Sequence, residues 1–139
     1  MIDKELVTRK IVLITDDLKA MEPLGRKALA DYLATPIDEV LAERYLERII
    51  GRMIDVNYHV LTESGHAPPK DYFQSFTALA DIAVLDREFA GRIAACAGLR
   101  NRITREYETI DPAKVHGALP AALQDIPVYL RQIAQRVGL

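Results

Sequence analysis

Apolar residues recur every three or four positions along almost the whole chain, which is the spacing of amphipathic helices. No stretch shows the strict alternation of apolar and polar residues that is typical of strands. Proline or glycine interrupts the pattern at four places: Pro23–Gly25, Thr35–Pro36, residues 64–69 and Asp111–Pro112. The pattern predicts an all-α protein, an antiparallel up-and-down bundle of four main helices plus short ones, in a single domain over residues 1–139.

The longest predicted helix begins at Thr35-Pro36, where the threonine oxygen is expected to cap the helix and proline fits its first position. Its apolar face is unusually wide, because two adjacent stripes run along it: Ile37, Leu41, Tyr45, Ile49 and Met53, then Leu46, Ile50, Ile54 and Leu61. One neighbouring helix cannot cover such a face. We therefore expect a central helix, or one shared between the core and a partner.

The second half of the chain predicts three more elements. A short helix is expected around residues 72–82, and a longer one capped by Asp86 is expected to run to Tyr107. The last helix starts at Asp111-Pro112. Pro120 and Pro127 lie inside it, so we expect that helix to be kinked or split. The break at Pro23 and Gly25 similarly predicts that the first helix stops there and a short segment follows.

The net charge of −2 gives no overall positive field, so contact with nucleic acid would require a local cluster of arginines. The single cysteine, Cys96, excludes an internal disulfide framework and a multi-cysteine zinc site, and its apolar surroundings predict a buried structural thiol. No basic leader followed by an apolar stretch opens the sequence, and no apolar run approaches the roughly 18 residues that cross a bilayer. We expect a cytoplasmic protein without membrane contact.

Residues 100–107 carry the most informative pattern. On a straight helix Arg100 and Tyr107 lie about 20° apart around the axis, two turns along it, with Asn101 beside them. A guanidinium and a phenol would thus share one side of an otherwise apolar helix. Arg105 projects about 140° away from Arg100. The two arginines can meet only if the helix ends or distorts there, or if a second subunit contributes.

A solvated helix end is the alternative interpretation of the same residues. Arg102 with Glu106, and Arg105 with Glu108, have the spacing of surface ion pairs on a helix. Each such pair stabilises a helix by only about 0.2–0.5 kcal/mol. In that interpretation the segment has no chemical role.

The residue types in this segment resemble the signature of the HepT-type HEPN domains: Arg, usually Asn, three variable residues, His, any residue, then Tyr. Arg100, Asn101 and Tyr107 occupy the matching positions, and Ile103 and Thr104 fit the middle. Further segments match in the same order: Ile54–Leu61, the proline-then-Tyr72/Phe73/Phe76 stretch, Gly98-Leu99 and Ile110-Asp111. The resemblance covers most of the chain.

HepT-type domains are the toxins of two-gene systems whose antitoxin is a minimal nucleotidyltransferase, MntA. The resemblance implies a metal-independent RNA endonuclease without a cofactor, in which a ribose 2′-hydroxyl attacks the adjacent phosphate. Arg100 would stabilise the charge on that phosphate and Asn101 would position it. Tyr107 would be the acceptor of AMP from the antitoxin, and the added bulk and negative charge beside Arg100 would block phosphate entry. A homodimer with the motifs at or near its cleft is also implied.

One position departs from the signature, because Arg105 stands where the family has histidine. Histidine can lose and regain a proton near neutral pH, whereas arginine stays protonated in proteins. Arg105 can bind a phosphate but is a poor general base. An active or weakened RNA endonuclease and a catalytically silent binding module for a nucleotidyltransferase, a nucleotide or RNA both remain open, as does a bundle used only for dimerisation.

Arg44, Arg48 and Arg52 form a column of like charge at four-residue spacing on the longest helix. Such neighbours repel mildly unless something anionic offsets them. With Arg102 they are weak candidates for binding RNA phosphates. A solvated face, with Glu47 as the local counter-charge, is the alternative.

Histidines offer two substitutes for the missing proton donor. Asp55 and His59 are four residues apart on the longest helix, which predicts a carboxylate that orients the imidazole in a structural role. His116 follows the motif closely along the chain. Glu63 and His66 have a spacing found in di-iron bundles, but the motif occurs once and in a loop, so we predict no metal site.

Overall fold

The computed structural model describes all of residues 1–139 and contains seven α-helices and no strand. The helices are α1 (Lys4–Arg26), α2 (Leu29–Leu33), α3 (Pro36–Glu63), α4 (Tyr72–Asp81), α5 (Arg87–Ile93), α6 (Ala95–Arg105) and α7 (Pro112–Val137). The predicted all-α helical bundle is therefore confirmed. None of the helices combines the length and the apolar character that a membrane span requires.

α3 lies at the centre of the bundle, in contact with α1, α2, α4, α6 and α7. Its buried side chains join those of the other helices in one continuous core of 35 residues. Leu46, Ile49, Ile50 and Met53 of α3 are fully buried. The central position expected from the wide apolar face is thus observed. Because α6 packs against α3, side chains on one face of α6 point towards α3.

α1 continues through Pro23 to Arg26, so the break expected at Pro23 and Gly25 is wrong by a few residues. Pro23 is exposed in the last turn, and the chain leaves the helix only at Lys27. Gly25 serves packing instead of a turn. A Cβ atom there would lie 2.6 Å from Leu123 Cδ1, so the missing side chain lets α1 approach α7 closely.

α3 begins at Pro36 as predicted, but Thr35 does not cap it. The Thr35 hydroxyl donates instead to the carbonyl of Asp31, 3.1 Å away, and so closes the turn after α2. Asp38 in the first turn is buried and forms an ion pair with Lys27. The start of α3 is therefore held by an ion pair to the segment after α1 rather than by its threonine.

The expected single helix from Asp86 to Tyr107 is wrong in two places. Asp86 caps as predicted, accepting from the Phe89 amide at 3.2 Å, but the helix is interrupted at Ala94 and ends at Arg105. The interruption falls in a run of alanines, which carries no sequence signal for a break. Tyr107 consequently lies outside the helix.

α7 is not split at its prolines. It runs without a break from Pro112 to Val137, past Pro120 and Pro127, and is capped by the Asp111 carboxylate, which accepts from the Ala113 amide at 2.9 Å. Of the two outcomes expected, a kinked or a split helix, the split is wrong, because helical packing against the core outweighs the one backbone hydrogen bond that each proline removes.

Candidate functional site

Arg100 lies on the face of α6 that packs against α3. Its Nε is buried without a hydrogen-bond partner and would be 3.6 Å from a Cβ atom on Gly51. The guanidinium carbon lies 5.5 Å from the centre of the Tyr72 ring. No carboxylate forms an ion pair with it. The side chain is thus half-buried and held in place, while its charge is left unneutralised and available to an anion.

A buried polar chain holds Tyr72 in position. The Tyr129 hydroxyl donates to Asn57 Oδ1, the Asn57 amide donates to Ser75 Oγ at 3.1 Å, and Ser75 Oγ donates to the Tyr72 carbonyl at 2.6 Å. Burial raises the pKa of Tyr129 well above its ordinary value, so this phenol remains a donor. These hydrogen bonds join α7, α3 and α4. The guanidinium of Arg100 lies over the ring of Tyr72, the residue at which the series of hydrogen bonds ends.

Tyr107 lies in the turn that follows α6. The amides of Thr109 and Ile110 donate to the Glu106 carbonyl, at 3.0 and 2.8 Å, and so close this turn. The Tyr107 side chain is 66% exposed. Arg100 and Tyr107 both face α3, but Arg100 does so beside Gly51 and Tyr107 beside the first half of α3. The two share a side of the protein without sharing a helix.

The phenol of Tyr107 borders a small recess of about 290 Å³ between α3 and the end of α6. Its lining residues are Val40, Glu43, Arg44, Glu47, Ile103, Thr104 and Tyr107. Burial, with a hydrogen bond that protonated Glu43 donates to Glu39 and the charge of Glu39 as lesser causes, raises the pKa of Glu43 to about 7. Sequence reasoning missed Glu43, because nothing in its spacing distinguishes it from a solvated glutamate.

Among the other motif residues, Ile103 is buried, Thr104 is half-buried, and Asn101, Arg102 and Arg105 are exposed. Asn101, Arg102 and Arg105 have no carboxylate partner. Arg102 borders the larger cleft between α5, α6 and α7, about 200° around the axis of α6 from Arg100. The hydroxyl of Thr104 donates back to the Arg100 carbonyl at 3.0 Å and so carries no free donor of its own.

The arginine column on α3 is largely balanced from within. Arg52 Nη1 and Arg48 Nε lie 2.8 and 3.1 Å from the same carboxylate oxygen of Asp17 on α1. Asp17 is buried, which makes it the anionic counterpart that the like-charge column requires. Arg44 pairs with Glu47 at 3.4 Å. The expected counter-charge Glu47 accounts for Arg44, while Asp17 accounts for the other two arginines.

Neither histidine expected as a substitute contacts the motif. His59 Nε2 accepts from the Asp3 amide at 2.8 Å, and Asp55 binds Lys10 at 2.9 Å, so the expected Asp55–His59 pair is wrong. His116 Nε2 lies 2.7 Å from the Lys27 carbonyl. Both imidazoles bind backbone atoms at the ends of α1, where they tie chain segments together.

Glu63 and His66 also bind separate partners. Glu63 pairs with the N-terminal ammonium at 2.6 Å, and His66 lies 3.8 Å from Asp81. No group of three or more side chains from histidine, cysteine, aspartate or glutamate is arranged to hold a metal ion.

A larger cleft of about 730 Å³ separates α5 and α6 from the first half of α7. Its wall contains Cys96, Arg102 and several alanines, and at its edge Arg92 pairs with Asp125 at 3.3 Å. Burial, and to a lesser degree the charge of Asp125, raises the pKa of the Cys96 thiol to about 12, which leaves it a poor nucleophile.

Comparisons with known proteins agree with the architecture. Residues 14–133 match the family described as "Ribonuclease HepT-like". A curated relative, the tRNA nuclease HepT of Aphanizomenon flos-aquae (strain 2012/KM1/D3), is 34% identical over 132 residues, which cover 95% of this chain and 90% of the relative.

Solved structures with the same fold include two toxin–antitoxin complexes. The tri-AMPylated Shewanella oneidensis HEPN toxin in complex with MNT antitoxin superposes with a TM-score of 0.84 at 18% identity, over 94% of this chain and 97% of the other. A mutant MntA–HpeT toxin–antitoxin gives a TM-score of 0.83 at 19% identity, over 94% and 98%. At these identities the structures establish the HEPN fold. Together with the match over residues 14–133, they show that this chain belongs to the HepT-like HEPN family.

Proposed function

We propose that this chain is the toxin of a toxin–antitoxin pair and that it cuts RNA. The first candidate substrate is tRNA, because the 34% identical relative is named a tRNA nuclease. The observation that carries the proposal is Arg100. Its guanidinium is held against Gly51 and Tyr72 and has no carboxylate partner, which is how a phosphate-binding arginine is prepared.

In the proposed reaction a ribose 2′-oxygen attacks the adjacent phosphorus, and the bond from phosphorus to the 5′-oxygen breaks. The 2′-hydroxyl gives up its proton to a water molecule, and the products are a cyclic phosphate and a 5′-hydroxyl whose proton comes from solvent. Arg100 stabilises the negative charge that grows on the phosphate oxygens, and the exposed amide of Asn101 donates to the same group. Arg105 adds a second cation, but it cannot exchange the proton because a guanidinium stays charged. The reaction needs no metal ion in this proposal.

Two copies of the chain would form the working unit. Ile37 and Val40, at the start of α3, are 58% and 60% exposed, and the nearby Leu33 is 49% exposed. An apolar surface of this kind is typical of a contact between subunits. Since this surface adjoins the recess beside Tyr107, a second copy placed there would bring two sets of Arg100 and Arg105 to the edges of one cleft.

Silencing would come from a nucleotidyltransferase antitoxin of the MntA type. Transfer of AMP to Tyr107 would place a bulky phosphodiester at the mouth of the site, where its charge competes with substrate for the arginines. The 66% exposure of Tyr107 supports this role, because a second enzyme must reach the phenol.

A nuclease assay on tRNA in the presence of EDTA tests the proposal. Wild-type protein is expected to cut, and Arg100→Ala is expected to lower the rate by at least about a hundredfold, the size typical of losing one charge-stabilising donor. Arg9→Ala, an exposed arginine of α1, is the matched control and should leave the rate unchanged. Equal rates for wild type and Arg100→Ala would rule out the assigned role of Arg100.

The departure at Arg105 supports a second candidate, a catalytically silent module that binds a nucleotidyltransferase, a nucleotide or RNA. Arg105→His separates the two candidates. If wild type binds tRNA without cutting it and Arg105→His cuts, the natural protein is the binding module. If wild type cuts and Arg105→His cuts faster, the protein is a nuclease whose rate the arginine limits.

A further inference from the structure

The recess beside Tyr107 contains one acidic side chain without a cationic partner. Arg44 turns to Glu47, 3.4 Å away, and no lysine or arginine forms an ion pair with Glu43. Glu43 is half-buried in the wall that faces the turn after α6. The carboxylate of Glu43 and the phenol of Tyr107 thus border the same recess, and the neighbouring Arg44 is already paired with Glu47.

Phenols hold their proton near neutral pH and attack weakly until it is removed. A tyrosine that accepts a nucleotidyl group therefore needs a proton acceptor within reach. Resting on the function proposed above, we propose that Glu43 is the general base that takes the proton of Tyr107 when a nucleotidyltransferase transfers a nucleoside monophosphate to it. Glu43 would then be the residue through which this chain assists in its own silencing.

The oxygen of Tyr107 forms a bond to the α-phosphorus of a nucleoside triphosphate bound by the transferase, and the bond from that phosphorus to the bridging oxygen breaks. Pyrophosphate leaves with the electron pair, and the phenol proton moves to the carboxylate of Glu43. Glu43 later releases this proton to solvent, so it is unchanged at the end of the reaction.

Burial and the charges around Glu43 set the pH range in which its carboxylate can accept a proton. Glu39, Arg44 and Glu47 lie beside it on α3, Tyr32 faces it from α2, and Tyr107 faces it from beyond α6. Burial first, then Glu39, raises its pKa to about 7, which is where a base operates best at neutral pH. Below that pH the carboxyl group is protonated and cannot accept. The transfer rate should therefore rise with pH and level off above about 7.

The experiment uses the full chain mixed with its partner nucleotidyltransferase and Mg–ATP, with the mass of the Tyr107 peptide followed over time between pH 5.5 and 9. Wild type should gain one AMP with a rate that rises about tenfold per pH unit below the inflection. Glu43→Gln should lower the rate at pH 8 by about a hundredfold and remove the inflection. Glu39→Gln removes the neighbouring negative charge and should move the inflection to lower pH.

Glu47→Gln is the matched control, because it borders the same recess but already pairs with Arg44. Its rate at pH 8 should stay within about threefold of wild type. Modification of Glu43→Gln at the wild-type rate and with the wild-type pH profile would overturn the role of Glu43 while leaving the proposed function intact. A wild-type Tyr107 that stays unmodified at every pH would overturn both the base and the proposed silencing, whereas tRNA cutting on the same samples still tests the nuclease.

Discussion

The guanidinium of Arg100 lies over the ring of Tyr72, with 5.5 Å between its central carbon and the ring centre. The two residues belong to different helices, α6 and α4, and come together because both pack against α3. An aromatic face attracts a cation without neutralising it, unlike a carboxylate. Tyr72 therefore orients Arg100 and leaves its charge free to bind a phosphate. A carboxylate in the place of Tyr72 would neutralise that charge.

Tyr72→Leu should weaken tRNA binding by about two- to fivefold, since a partly exposed cation–π contact is worth about 0.5–1 kcal/mol. The reason is loss of orientation, because Arg100 itself is retained. Fluorescence anisotropy with labelled tRNA measures the affinity. Phe73→Leu is the control: Phe73 is the next residue, is 52% exposed, and should show wild-type affinity. Equal affinities for wild type and Tyr72→Leu would count against the contact.

Much of the fold follows from local sequence signals. The helix starts at Pro36, Tyr72, Arg87 and Pro112 were all predicted within a residue or two, because a capping acid or a proline marks each of them. The break at Ala94 was not predictable, because alanines favour helix on both sides of it. Pro120 and Pro127 predicted a break that does not exist. The packing that keeps α7 unbroken is a tertiary effect, which local sequence does not show.

For the candidate site, the sequence predicts motif residues but not the side chains that surround them. Arg100 and Tyr107 came from a short motif, yet the aromatic partner Tyr72 is 28 positions from Arg100, and Glu43 is 64 positions from Tyr107. Contacts at such separations depend on how helices pack. The same limit explains Asp17, whose pairing with Arg48 and Arg52 joins α1 to α3. A like-charge column signals that an anion is needed, but not which one.

Asp17→Asn should lower the free energy of unfolding by about 2 kcal/mol. Removing one partner of a buried ion pair leaves the others uncompensated, and the partial exposure of Arg48 and Arg52 moderates the cost. Urea denaturation followed by circular dichroism measures the change. Asp16→Asn is the control, because Asp16 is exposed without an ion-pair partner and should change stability by less than about 0.5 kcal/mol. Similar values for the two variants would contradict the assigned role of Asp17.

Gly25→Ala and Gly91→Ala should change stability in opposite directions. An added Cβ at Gly25 would clash with Leu123 Cδ1 at 2.6 Å, whereas at Gly91 it would meet nothing within 4 Å. We expect Gly25→Ala to lose about 1 kcal/mol through displacement of α7, and Gly91→Ala to gain about 0.5–1 kcal/mol because alanine favours the helix. Thermal unfolding of both variants tests the pair, and a gain for Gly25→Ala would show that α1 and α7 have room to separate.

Glu43→Gln should stabilise the protein at pH 8 but hardly at pH 5. Because the folded state raises the pKa of Glu43 to about 7, it holds the proton more tightly than the unfolded chain does. Stability is therefore greatest when Glu43 is protonated and falls as the pH rises from the ordinary carboxyl range through 7. Glutamine imitates the protonated form at every pH and escapes this loss.

The gain at pH 8 should be at most about 1 kcal/mol, or roughly 3 °C in Tm, because solvent screens a half-exposed carboxylate. Glu47→Gln, which breaks the pair with Arg44, should show no such gain. A Glu43→Gln gain of equal size at pH 5 and pH 8 would mean that ionisation of Glu43 costs the fold nothing. The carboxylate would then lack the desolvated setting that a proton acceptor beside Tyr107 requires.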